Sequence, residues 1–125
     1  MTKVKTILLA EDNEFIRKMY ELKFGKAKLD VISVTNGAEA IEQFDKHDFG
    51  LILLDLMMPE INGEEALEYL RTKAKKNRKV PVLILTNVND PTTIEKIRTL
   101  GIDDYIIKSE LTPSQVLNKV NQYIT

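Results

Sequence analysis

Four short runs of consecutive aliphatic residues constrain what this chain can become: TILLA at 6–10, LILLDL at 51–56, VPVLILT at 80–86 and YIIK at 105–108. LDVISVT at 29–35 is a weaker fifth. Each is too short for a globular helix. Each is apolar at successive rather than alternate positions, the pattern of strands covered on both faces.

Helical repeats lie between the runs. Phe15, Met19 and Leu22 mark the first; Ala38, Ile41 and Phe44 the second; Ala66, Leu67 and Leu70 the third. Ile94 and Ile97 mark the fourth, and Val116, Leu117 and Val120 the fifth. Start signals agree. Asn36 and Asn62 each stand three residues before a glutamate, Thr112 opens a capping box with Pro113 behind it, and Asp90 precedes Pro91. The order is β-α five times, in one domain over 1–125 without a linker. Such alternation predicts an α/β fold, with a parallel sheet between two helical layers. The basic stretch KAKKNRK at 73–79 is expected to end the third helix and form its solvated exit loop.

Composition removes several function classes. Hydrophobic residues make up 43% of the 125 and charged residues 30%, which suits one globular domain. The formal net charge of −1 gives no basic field for nucleic acid or an acidic membrane surface. The lack of cysteine excludes disulfides, thiol catalysis and cysteine metal sites. The opening MTKVKTILLAEDNEF turns acidic too soon for a signal peptide. No apolar stretch reaches the roughly 20 residues that span a bilayer. A cytoplasmic location is expected.

In an open parallel α/β sheet, the site lies outside the carboxyl ends of the strands. Glu11 and Asp12 follow the first strand, Asp55 ends the third, Thr86 the fourth and Lys108 the fifth. A lone aspartate at a strand end is ordinarily a cap or turn residue, and a lone lysine a surface group. Five such groups at the ends of the right strands are a different matter. Neighbouring strands are about 4.8 Å apart. If the third lies between the first and fourth, Asp55 has Glu11 and Asp12 on one side and Thr86 on the other. Lys108 starts about 10 Å away, within partial reach of its stem. Two carboxylates about 5 Å apart repel by about 3 kcal/mol at an effective dielectric near 20. The cluster therefore needs a cation, a raised pKa, or both. All-oxygen ligands favour a hard ion, Mg²⁺ first and Mn²⁺ as the alternative. Beside such an ion and a lysine, Asp55 is a candidate nucleophile toward phosphorus. Pro59 and Gly63 shape the loop that follows it.

These residues make the chain similar to a response-regulator receiver domain of two-component signalling. The resemblance covers essentially the whole sequence. It rests on the acidic pair after the first strand, the D-x-x-M-P-x-x-x-G spacing in DLMMPEING, the threonine ending strand four and the lysine ending strand five. It implies a flavodoxin-like doubly wound sheet of strand order 2-1-3-4-5. Asp55 then resembles the phosphoacceptor. Asp12, Asp55 and the Met57 backbone carbonyl look like Mg²⁺ ligands, with Glu11 acting through water. Thr86 and Lys108 resemble the phosphoryl-sensing pair, and Tyr105 the switch aromatic. The implied output face is helix four, strand five and helix five, at about 90–124. The implied partner is a histidine kinase or histidine phosphotransfer protein, because the only histidine, His47, lies away from the site. The output partner is not identified by the sequence. Homodimerisation on activation is among the outcomes the resemblance allows. Autophosphorylation and autodephosphorylation are expected, but not turnover in the enzymatic sense. A complete one-domain regulator and the receiver segment of a longer protein are both compatible with this sequence.

Two positions depart from the family pattern. Ser109 follows Lys108 where proline is usual, often after a cis bond. A cis bond without proline costs about 2.5–4 kcal/mol. The loop is therefore expected either trans and locally different, or cis and held by its surroundings. Asn87 stands where a small residue is common and is expected to narrow the site, with Met57 and Val88 flanking the same opening. Three rivals remain. An aspartyl-phosphate phosphohydrolase of the haloacid-dehalogenase class needs a second acid where Met57 stands. A flavodoxin-type module needs a hydroxyl- and glycine-rich loop where EDNEF stands. A docking-only receiver would not need all five site residues.

Overall fold

A computed structural model describes residues 5–124. The ends of the expected 1–125 domain, including the MTKV opening, lie outside the described residues. Five strands alternate with five helices: β1 (Thr6–Ala10), α1 (Glu14–Lys26), β2 (Asp30–Val34), α2 (Gly37–Phe44), β3 (Leu51–Leu54), α3 (Gly63–Thr72), β4 (Val82–Thr86), α4 (Pro91–Leu100), β5 (Asp104–Ile107) and α5 (Pro113–Ile124). All strand pairs are parallel, in the order β2-β1-β3-β4-β5. This is the doubly wound, flavodoxin-like sheet.

Side chains alternate across a strand, so a run that is apolar throughout feeds both faces. Leu8, Ala10, Ile52, Leu54, Val82 and Ile84 pack with Phe44, Leu67, Leu70 and Ile97 of α2, α3 and α4. Their neighbours Ile7, Leu9, Leu51, Leu53, Leu83 and Leu85 pack on the other face with Tyr20, Phe24, Val116 and Val120 of α1 and α5. The expected helix caps form. Asn36, Asn62 and Asp90 accept N–H groups from Glu39, Glu65 and Thr93 at 2.8, 2.9 and 3.1 Å. Thr112 and Gln115 close a reciprocal capping box.

Four expectations change. In α1 the inward face is Tyr20 and Phe24, whereas Phe15 is 79% exposed and Leu22 62%. A four-residue spacing from Ile16 through Tyr20 to Phe24 describes one helix face as well as Phe15–Met19–Leu22 does, and the sheet selects the former. In α2, Ala40 is buried and Ala38 exposed. Strand three stops at Leu54, and Lys108 opens a short 3-10 turn, Lys108–Glu110, instead of ending β5. The basic stretch is the exit loop of α3, as expected. It is also pinned: the Asn77 side chain accepts from the Phe49 N–H and donates to the carbonyls of Phe44 and His47. No described helix is long and apolar enough to cross a membrane.

Candidate functional site at the carboxyl rim of the sheet

Strand register sets the site. Ala10 pairs with Leu54, so Glu11 and Asp55 leave the sheet side by side. The Asp55 N–H still donates to the Ala10 carbonyl at 3.1 Å, which carries the sheet geometry one residue past the strand. On the other side Leu54 pairs with Ile84, and Thr86 pairs with Ile107 at the end of β4. Glu11, Asp12, Asp55, Met57, Thr86 and Lys108 line one crevice, joined by Asn13, Asn87 and Val88.

Carboxylate oxygens of Glu11, Asp12 and Asp55 lie within 4.8 Å of one another. The Lys108 ammonium spans the gap. It donates to Asp55 Oδ2 at 2.7 Å and to Glu11 Oε1. Asp55 Oδ1 accepts the Met57 N–H at 3.2 Å. Burial is severe: Glu11 is 2% exposed, Asp55 5% and Thr86 0%. Burial raises the Glu11 pKa above its ordinary value, against bonds from Lys108 and the Asn13 N–H; the Asp55 charge adds to the rise. Burial alone would lower the pKa of Lys108. Its bonds to Asp55 and Glu11 outweigh that and raise it. Three carboxylates against one ammonium leave excess negative charge, with only hard oxygen donors. The residues fit a hard divalent ion.

Tyr105, on β5, stands behind the crevice, half-buried against the α2–α3–α4 side of the core. Its hydroxyl donates to the Val88 carbonyl at 2.8 Å and ties β5 to the loop after Thr86. Burial raises its pKa, with smaller contributions from the Asp55 and Asp90 charges. His47 lies before β3, at the opposite end of the strands, with its ring against Phe49. The Lys108–Ser109 bond is trans, and Lys108 still reaches Asp55. The expectation of a held cis bond is thus set aside.

Two supporting residues escaped the sequence reading. Arg17 donates to the backbone carbonyls of Glu11 and Asp12 at 3.1 and 3.4 Å, clamping the acidic loop. Asn13 caps α1 through Ile16 N–H, and its own N–H donates to Glu11 Oε2. An Asn at the loop–helix boundary was the available signal for the cap. Nothing local marks Arg17.

The family profile described as the response regulator receiver domain matches residues 7–121. The chain belongs to this family: it is a receiver domain of the two-component type. Among relatives, it is 36% identical over 102 residues to the probable transcriptional regulator ycf27 of Porphyridium aerugineum, covering 82% of this chain and 41% of that protein. It is 27% identical over 120 residues to the CAI-1 autoinducer sensor kinase/phosphatase CqsS of Vibrio cholerae, covering 96% of this chain and 17% of that protein. The chain thus spans less than half the length of these relatives. Among solved structures, the receiver domain of the sensor histidine kinase PA1611 from Pseudomonas aeruginosa superposes with a TM-score of 0.85 at 24% identity, over 96% of this chain and 97% of that one.

Proposed function

We propose that this chain, 1–125, is a phosphorylation-activated switch that takes a phosphoryl group onto Asp55. One observation carries the reading: Lys108, from beyond β5, bonds Asp55 at the crowded carboxylate end of the sheet. An ordinary cap or turn aspartate would have no need of a half-buried ammonium.

In this reading an Asp55 carboxylate oxygen attacks phosphorus in line with the leaving group. The phosphorus–nitrogen bond of a phosphohistidine breaks, and its electron pair goes to the departing imidazole, which takes a proton from solvent. Acetyl phosphate substitutes by breaking a phosphorus–oxygen bond and releasing acetate. Either way Asp55 becomes an acyl phosphate. Lys108 donates to the transferring oxygens, which carry the developing charge. Glu11 through water, Asp12, Asp55 and the Met57 backbone carbonyl would hold Mg²⁺, or Mn²⁺ in its place. Bound there, the cation offsets charge on the phosphoryl oxygens. The Pseudomonas receiver carries a magnesium ion in its active-site cleft, which supports this choice.

The Thr86 hydroxyl then donates to the new phosphoryl group, and Tyr105 follows the loop to which it is bonded. Phosphorylation shifts an equilibrium that already exists. The signal leaves by α4, β5 and α5, toward an output partner or a second copy of the chain. The donor is a histidine kinase or histidine phosphotransfer protein in the cytoplasm. Nucleic acid and membrane are not direct partners. Of the rivals, the phosphohydrolase lacks its second acid because Met57 fills that position, and the docking-only receiver leaves the Lys108–Asp55 bond without a purpose.

Incubation with Mg²⁺ and acetyl phosphate should add the mass of one phosphoryl group, and Asp55→Asn should abolish the gain. Label that persists in this variant would remove Asp55 from the mechanism. Steady turnover of phosphate esters would restore the hydrolase reading.

A further inference from the structure

The two positions that depart from the family pattern meet in space. Asn87 directly follows Thr86, and Ser109 directly follows Lys108. Asn87 Oδ1 accepts the Ser109 N–H at 3.0 Å. Proline at 109 would have no N–H to offer. The contact also fixes which end of the amide is which, because an N–H must face oxygen and not NH₂. The Asn87 oxygen is therefore engaged with the loop after β5, and among the described residues its two N–H donors meet no acceptor. Asn87 lines the crevice with Asp55, Thr86 and Lys108.

We propose that Asn87 is a further phosphoryl-binding residue, whose side-chain NH₂ donates to the phosphoryl oxygens carried by Asp55. Ser109 is the positioning residue that holds the amide through its backbone N–H. This rests on the phosphoacceptor reading and adds an anion contact to it. A neutral donor suits the place. Another ammonium would pair with Glu11, Asp12 or Asp55 and compete with a cation there. An amide donates to a phosphoryl oxygen without neutralising the carboxylates.

Beryllofluoride, a phosphoryl mimic, is the probe, titrated with Mg²⁺ into the intact protein by calorimetry and followed by ¹⁵N NMR. The Asn87 side-chain NH₂ resonances should shift on binding. Asn87→Ala should weaken beryllofluoride binding about tenfold, the scale of one charge-assisted hydrogen bond at an open site. Mg²⁺ affinity without beryllofluoride should not weaken. Asn87→Asp keeps an acceptor for Ser109 but has no NH₂, and should lose at least as much. If Asn87→Asp binds like wild type while Asn87→Ala does not, the tether alone matters and the donor role is wrong. Ser109→Pro should weaken binding about threefold, and Ser109→Ala, which keeps the N–H, should bind more tightly than Ser109→Pro. Unmoved NH₂ resonances with wild-type affinity in both Asn87 variants would overturn the proposal alone. A wild-type protein that neither binds beryllofluoride nor accepts phosphoryl would overturn the receiver reading with it.

Discussion

Along β1 and β3 the chain passes from one physical regime to another in a single residue. Leu9, Ala10, Leu53 and Leu54 are at most 1% exposed, and the next residues, Glu11 and Asp55, are 2% and 5% exposed. Burial is nearly the same; what holds it is not. The interior positions are stabilised by removing apolar surface from water, roughly 25 cal/mol per Å². The rim positions lose hydration and recover part of it from one ammonium borrowed from beyond β5. The interior is built for stability, and the rim gives some up to keep negative charges close together.

That contrast can be tested by moving single residues across it. The largest stability loss belongs to the interior: Leu53→Ala should cost about 3 kcal/mol or more in urea unfolding, with little change in phosphoryl uptake per folded molecule. A variant that stays stable would mean the interior is looser than its burial implies. Next comes Lys108→Met, which leaves two buried carboxylates without their cation. Loss of about 2 kcal/mol is expected, below the full cost of orphaning a buried charge because the crevice admits water. Here phosphoryl uptake should fall as well.

Glu11→Gln should have a smaller effect of the opposite sign. Burial raises the folded-state pKa of Glu11 above the unfolded value. Its stability contribution is therefore fully present below the ordinary pKa near 4.5 and lost as pH rises through the folded value. In metal-free buffer, wild type should lose stability relative to Glu11→Gln as pH climbs from 4.5. Parallel pH curves for the two proteins would show that Lys108 compensates fully. Smallest of all is Thr86→Val. Among the described residues its hydroxyl accepts only a long 3.4 Å contact from the Val88 N–H, so stability should change by about 1 kcal/mol or less. Any phosphorylation-linked change in the Tyr105 environment should nevertheless disappear, as read by NMR of its ring.

The same division governs what could be read in advance. Strands were legible because a run apolar at every position admits few other structures. The caps at Asn36, Asn62, Asp90 and Thr112 were legible because donor and acceptor lie three residues apart. The site residues were legible as candidates because each ends or follows a strand. The inward face of α1 was not, since Ile16–Tyr20–Phe24 and Phe15–Met19–Leu22 satisfy helical spacing equally. By sequence Asn77 belongs to a solvated basic loop, because its partners near β3 are about thirty residues away.

By itself the sequence determined the order of elements, the two-sided burial of the sheet and the set of polar groups at the strand ends. All three follow from interactions within a few residues or from the period of side-chain direction along a strand. Only the tertiary structure decided which groups touch. Lys108 meets Glu11 across 97 residues and Asp55 across 53, and Asn87 meets Ser109 across 22. Those contacts depend on strand order and parallel register bringing separate strand ends to one edge, a condition that no local pattern encodes.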